Sequence, residues 1–476
     1  MPTEWLAASK GLDSPDQYLD GNAVDSNLLL GLIAFAMAVL FVRRQQLWTV
    51  VKQNWAILFY FLYCLASTFW SDFPFVAFKR WTKALGNVLM VLIVLTDANP
   101  SAAVKRFFSR MAFVLIPVSI LLIKYYPDLG RGYYRWSWTP FYTGVTTDKN
   151  SLGAICFVFG LAAVWRVTEA LWEKPQPKAG KSRAHGVLGA LGIWLLRTLR
   201  IQKSLIAHAV LLGLAVFLLL ITDSSTSLAC LILGSFLIVA TQGNVGRRPT
   251  RVYVLTGVMG FGAALVYMFP DVFAMLTHSL GRGTDLTGRV DIWNDIFHMH
   301  LDPWLGTGFE SFWLGKRIEF LWEKYYFHPN QAHNGYIETY INLGILGLGA
   351  LALQIVAGYR NVTAGFRRRA PASSLKLAYL LTALVYNVTE AAFKVMTPVW
   401  IVYLFAIMAV PVAPKRKPEE SGGAETGGHL DPALAAHTLS DHPEPGKLVY
   451  SSTSQALVSA DSAPFGGKPA IAAGCS

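Results

Sequence analysis

Charge is what this chain has least of. Asp, Glu, Lys and Arg make up only 15% of its 476 residues, too few to clothe a water-soluble domain of that length. Cysteine is scarce as well. Of the four, Cys64, Cys156 and Cys230 lie in apolar runs and Cys475 lies near the C-terminus. No pair has metal-ligand or disulfide spacing, so they read as small buried apolar residues without redox chemistry. Acid is scarcer than base, leaving a net charge of +12. Such an excess can mark a nucleic-acid binder, but in a multi-span membrane protein it first raises the question of which loops carry it. Residues 1–26 are polar and acidic and lack the basic start and apolar core of a cleavable leader. The first span is therefore expected to serve as the membrane signal.

Apolar residues are plentiful instead, at 53%, with a mean hydropathy of +0.40. The pattern predicts an all-α polytopic membrane protein with about eleven transmembrane helices, ten and twelve being the bounds. The spans fall near 27–42, 55–70, 82–96, 111–126, 151–171, 204–222, 227–241, 252–269, 337–357, 376–391 and 398–413. One set of connections, 43–54, 97–110, 172–203, 242–251 and 358–375 with the tail from Pro414, carries 25 Lys and Arg, and the opposite set carries 12. By the positive-inside rule the first set is cytoplasmic. That divides the chain into a polar extracytoplasmic N-terminus (1–26), spans one to eight (27–269), a large periplasmic loop with short helices (270–336), spans nine to eleven (337–413) and a cytoplasmic tail (414–476). The tail is rich in Gly, Pro, Ser and Ala and is expected to be disordered. In the linker 172–203, a basic flexible segment around Lys174-Pro175-Gln176-Pro177-Lys178 precedes Val187–Leu199, which reads either as an amphipathic helix on the inner leaflet or as a plain spacer.

The large loop holds two dense clusters of reactive side chains. The first is Thr287-Gly288-Arg289-Val290-Asp291-Ile292-Trp293, where Thr287 can cap a helix running to about His300. Arg289 and Trp293 then share a face. There the guanidinium can offer its planar fork to a phosphate, with Trp293 fixing its stem or stacking on a sugar. The ordinary reading is an amphipathic helix whose Arg289 pairs with a carboxylate, and spacing alone favours it. The second cluster is His333-Asn334-Gly335-Tyr336-Ile337-Glu338, at the mouth of a span. A histidine there can take a proton from an attacking hydroxyl, and the free N–H groups of the helix start favour an anion. Glu338 lies one turn past Asn334, within reach to orient it or pair with an arginine. The plain alternative is a surface histidine at a helix start. Between the clusters, Asp302-Pro303-Trp304-Leu305-Gly306-Thr307-Gly308 reads as a structural turn, and the aromatics from Phe309 to Phe327 read as an interfacial belt or, equally, as a platform for sugar faces or an isoprenoid chain, the belt being the safer reading. Arg80, Arg135, Lys149, Asn150, Asn387, Glu390 and Lys394 are further outward-facing polar residues. Those that sit deepest, Glu390 and Lys149-Asn150, are costly in a membrane and count as functional candidates.

The combined order of these motifs, with Leu343-Gly344-Ile345-Leu346-Gly347, Gly144-Val145-Thr146, Leu152-Gly153 and Asn387-Val388-Thr389-Glu390, resembles the O-antigen ligase and polymerase superfamily, and exopolysaccharide polymerases most. The resemblance covers about residues 60–410 and is specific in the order of the motifs rather than in any one of them. It implies a membrane glycosyltransferase needing no metal and no cofactor, with a polyprenyl-diphosphate-linked saccharide as donor and a saccharide or lipid as acceptor. It also implies a bacterial inner-membrane location, a site facing the periplasm, other polysaccharide-assembly proteins as partners and no nucleic acid. Carried over residue by residue, Arg289 holds diphosphate and His333 serves the acceptor; Trp293, Asn334, Glu338, Glu390, Arg80 and Asn150 are the substrate-binding candidates that the residues themselves offer beside them. The chain departs from the family where an arginine often occupies an outer turn, because Asp223–Ser227 has no basic residue. Lys149, Arg282 or Arg135 would then supply the second positive charge, Lys149 first among them. A transporter of lipid-linked sugars and a glycan-binding scaffold are the competing classes. The first would place charge at the bilayer midplane in repeated halves, and no internal repeat is visible.

Overall fold

The computed structural model describes residues 23–134, 138–172, 187–242, 248–268 and 287–409. The expectations for Arg135, Arg282, the segment Lys174–Lys178 and the tail from Pro414 lie outside them. The described chain is almost wholly helical. In order it runs α1 (Ala23–Val42), α2 (Arg44–Gln53), α3 (Trp55–Ala66) with a 3-10 turn (Ser67–Trp70), α4 (Pro74–Leu95) and α5 (Pro100–Tyr125). A two-stranded hairpin, β1 (Arg131–Tyr133) and β2 (Pro140–Tyr142), leads to α6 (Lys149–Trp172), α7 (Val187–Thr222), α8 (Ser225–Thr241) and α9 (Pro249–Met268). Then come α10 (Thr287–His298), α11 (Lys316–Lys324), α12 (Gly335–Arg367), α13 (Ser373–Thr389) and α14 (Pro398–Ile407). Among the described residues, five helical segments are long and apolar enough to cross a membrane: Val24–Val42, Pro100–Tyr125, Lys149–Trp172, Gln202–Thr222 and Gly335–Arg367.

The bundle is organised on α6, whose apolar residues from Leu152 to Trp165 are buried almost without interruption. Helices α5, α7, α8, α13 and α14 pack around it. In lipid there is no water-exclusion drive between helices, so close fit decides their association. That fit is reciprocal between α6 and α8, where Gly160 receives Leu231 and Gly234 receives Leu161. Elsewhere aromatic edges fill the space: Phe108 meets Tyr379 and Phe405 at 5.5 and 5.3 Å between ring centres. Large apolar side chains such as Phe35, Val114, Leu220, Ile232 and Phe261 face outward, as a lipid-exposed surface requires.

Three expectations are revised. The stretch Val187–Leu199 is not a separate helix but the beginning of α7, which runs 36 residues without interruption. At 1.5 Å per residue that is about 54 Å, well beyond a hydrocarbon core of about 30 Å. The aromatics of the large loop do not form one belt. Phe312, Trp313 and Trp322 are buried with Ile292, Ile296, Ile318, Leu321, Ala332 and Ile341 in a second core separate from that of the bundle, while Phe320, Tyr326 and Phe327 stay exposed. Finally, the span expected at 337–357 is broken: Gly344 has φ 65° and ψ −167° inside α12. The Pro303–Thr307 turn docks into that break. Ile345 N–H donates to the Pro303 carbonyl at 2.9 Å, Leu346 N–H to Trp304 at 3.3 Å and Thr307 N–H to Ile341 at 3.0 Å. A Cβ at Gly344 would collide with the Trp304 carbonyl, so only glycine fits both the dihedrals and the space.

Candidate functional site

Three loops converge where α13 ends. Asn387, wholly buried in its last turn, accepts from the N–H groups of Ala392 and Phe393 at 2.9 and 2.7 Å and donates to the Ala383 carbonyl at 2.8 Å. This side chain supplies the hydrogen bonds that the helix end and the returning chain would otherwise lack. It thereby fixes Glu390, the residue that follows the helix. Gly335 lies directly against Asn387, and a Cβ there would overlap its Oδ1.

Asn334 caps α12, accepting from Tyr336 and Ile337 N–H at 2.9 and 3.0 Å, and its amide donates to the Val388 carbonyl at 3.0 Å. His333 precedes it with φ 49°, an unfavoured left-handed conformation held by its neighbours. Ala332 is pinned from two sides: its carbonyl accepts from Trp293 Nε1 at 2.7 Å, and its N–H donates to Glu338 Oε2 at 2.9 Å. The other oxygen of the buried Glu338 accepts from Trp313 Nε1 at 2.8 Å.

The result is a cluster on the Glu390 carboxylate. His333 Nδ1 lies 3.3 Å from Oε2. Arg289 Nη2 lies 3.7 Å from Oε1, and its Nη1 donates to the Thr389 carbonyl at 2.6 Å. Asn150 Nδ2 approaches Oε1 at 3.4 Å. Asn150 is delivered by the first turn of α6, where Asp148 accepts from Ser151 N–H at 2.8 Å as a helix cap. The turn Asp223–Ser227 also reaches this place, since Thr226 and Thr389 hydroxyls are 2.9 Å apart.

Arg289, His333, Asn150, Asn334 and Glu390 are therefore brought together. Lys149 stands beside Asn150 in sequence but extends its ammonium over the Tyr134 ring, 5.7 Å from the centre. Trp293 is committed to Ala332 rather than stacked on Arg289, and Glu338 to Trp313 and Ala332 rather than to Asn334 or an arginine. Both shape the histidine loop. Arg80 donates to the Glu310 carbonyl, a different junction. Thr226 and the Thr389 carbonyl were not visible as site groups in the sequence: one is a common residue in a serine-rich turn, the other a backbone atom.

Away from the cluster, Asp295 ties α10 to α11. Burial pushes its carboxyl up, but hydrogen bonds from Lys324 Nζ at 2.7 Å and Tyr325 Oη at 2.6 Å outweigh this and hold it below its ordinary value. Tyr325 is pushed up, first by burial and then by that carboxylate.

Comparison with known proteins agrees with the resemblance carried by the motifs. Residues 208–352 match the family model described as O-antigen ligase. That interval contains Arg289 and His333 and stops short of Glu390. The exopolysaccharide production protein ExoQ of Rhizobium meliloti (strain 1021) is 24% identical over 329 residues, and the match spans 66% of this chain and 66% of that relative's own length.

Proposed function

We propose that this protein is a membrane glycosyltransferase that polymerises polyprenyl-diphosphate-linked saccharide units in exopolysaccharide or O-antigen synthesis. One observation carries the reading: Arg289 and His333, from opposite ends of the large loop, meet on one carboxylate, Glu390, at 3.7 and 3.3 Å. Breaking the sugar–phosphate bond builds negative charge on the diphosphate leaving group. A guanidinium with donors left over from Thr389 and Glu390 can stabilise that charge. With Nδ1 donating to Glu390, the imidazole keeps its Nε2 lone pair for the acceptor hydroxyl. Attack on the anomeric carbon from the face opposite the diphosphate gives inversion, and no step calls for a metal. Lys149, Arg282 and Arg135 remain the candidates for a second cation on the diphosphate, and Arg80 lies on the neighbouring loop junction. The site faces the periplasm of a bacterial inner membrane in this reading.

Transfer of one unit to a lipid or protein acceptor, as in a ligase, uses the same donor chemistry. Transport of the lipid-linked sugar is the alternative of another class. The broken α12 does not favour transport, because the backbone of Pro303–Thr307 fills its break.

The test is incubation of the purified protein with one lipid-linked repeat unit. A product ladder with release of polyprenyl diphosphate is expected, a single addition would make it a ligase, and no release would remove the enzyme. Arg289→Ala and His333→Ala, shown to be folded and inserted, should each lower the rate by about a hundredfold or more. Normal polymer from both variants would overturn the assignment.

A further inference from the structure

A pocket with a largely apolar wall and a polar, basic rim lies at the other end of α13 from Glu390. Lys376 and Glu390 are fourteen residues apart in sequence, about 21 Å along a helix, so this pocket belongs to the opposite end of the bundle. Its volume is about 520 Å³, in the range of pockets that hold small molecules. Gln53, Asn99, Asn361, Arg368 and Lys376, with the hydroxyls of Ser101 and Ser373, supply its polar lining, and Leu95, Val104 and Phe405 part of its apolar wall.

The charge of this pocket is of one sign. Among the described residues, two cations line it and no Asp or Glu does. Among the described residues, the one hydrogen-bond acceptor that Lys376 Nζ meets is the Met408 carbonyl at 2.7 Å, with the Phe405 ring centre 5.1 Å away. An ammonium carries three donors, and a cation set among apolar walls without a counter-charge is costly. Arg368, just past the end of α12, is exposed at the rim and likewise has no carboxylate partner among the described residues. The first turns of α5 and α13 open onto the same space through Pro100, Ser101 and Ser373, and α13 has no side-chain cap. Helix starts add positive potential to the two cations. The wall of Leu95, Val104 and Phe405 would accept an apolar portion of the same molecule.

We propose that this pocket binds a phosphate-bearing anion at the end of the bundle remote from the transfer site, with Arg368 and Lys376 as its ligands. An acidic phospholipid headgroup and a soluble phosphate share that chemistry, and the apolar wall favours the lipid. The inference stands apart from the proposed reaction, since it uses none of the residues of the Glu390 cluster.

The experiment is a thermal-unfolding titration of the full chain in detergent with three probes. These are short-chain phosphatidylglycerol, phosphatidylcholine of equal chain length, and inorganic phosphate. Phosphatidylglycerol should raise the unfolding midpoint where the zwitterionic lipid does not. Arg368→Gln and Lys376→Met should each weaken its apparent affinity about tenfold, as expected for loss of one charge-assisted contact. An equal shift from inorganic phosphate, lost in the same variants, would identify a soluble phosphate as the ligand. The proposal is overturned if no probe shifts the midpoint, if both lipids shift it equally, or if the shift survives in the variants. Arg368 is exposed, so Arg368→Gln carries the test even if Lys376→Met does not fold.

Discussion

His333 Nδ1 and Glu390 Oε2 stand 3.3 Å apart although 57 positions separate them in the chain. In the proposed reaction the carboxylate selects the imidazole tautomer with Nδ1 donating and leaves Nε2 for the acceptor hydroxyl. Glu390→Gln keeps the shape of the side chain but cannot support the positive charge that develops on the ring. The rate of diphosphate release should fall about a hundredfold in a protein whose melting is little changed. A full rate in Glu390→Gln would show that His333 works without it.

Glu338 is expected to matter through its neighbours. Replacing it with alanine leaves the Trp313 indole N–H and the Ala332 N–H without acceptors in a buried setting, at about 1–3 kcal/mol for each lost bond. Glu338→Ala should lower both the melting temperature and the transfer rate. Glu338→Gln should do less, because its amide oxygen can serve one of the two donors. The ratio of melting shifts between the two variants checks the assignment.

Gly344 takes dihedrals that are almost confined to glycine, and a side chain there would meet the Trp304 carbonyl. Gly344→Ala should therefore cost at least about 2 kcal/mol, read as a lower denaturation midpoint of the detergent-solubilised protein. Gly349, farther along the same helix, has open space at its Cβ position. Gly349→Ala is the control and should be neutral or slightly stabilising.

The Asp295 carboxyl predicts a pH dependence. Its folded-state pKa is depressed below the unfolded value of 3.8, so the unfolded chain binds the proton more tightly. The associated stability is complete above 3.8 and is lost as the pH falls through the folded value. Asp295→Asn should melt at a lower temperature than the parent protein at pH 7, and the gap should be smaller at a pH below 3.8. A gap of constant size at both pH values would locate the effect in packing rather than charge.

Much of this was legible in the sequence, for identifiable reasons. Each apolar run falls on a helix because a segment in lipid has to satisfy its backbone internally. Glu390 stands out in the sequence because a polar group at a span mouth is costly unless it has a purpose, whereas Arg289 and His333 take their roles from the family resemblance. The break at Gly344 was hidden because Leu343–Gly347 is apolar on both sides of it, and hydropathy does not register dihedral angles. The loop core was misread as a belt because irregularly spaced aromatics look alike whether they face lipid or one another. Glu338 looked available because sequence shows that a carboxylate is near a helix start, not that Trp313 and Ala332 have claimed both its oxygens.

The two hydrophobic cores give the site an unusual position. Glu390 is flanked by Tyr386, Ala392 and Phe393 of the bundle core, whereas Arg289 and His333 are flanked by Ile292 and Ala332 of the loop core. The cluster thus lies along a seam: the carboxylate is anchored in one packed body, and the guanidinium and imidazole in the other. A cavity made deep in either core, far from any reacting atom, should register first as a change in the distances from Glu390 to Arg289 and His333.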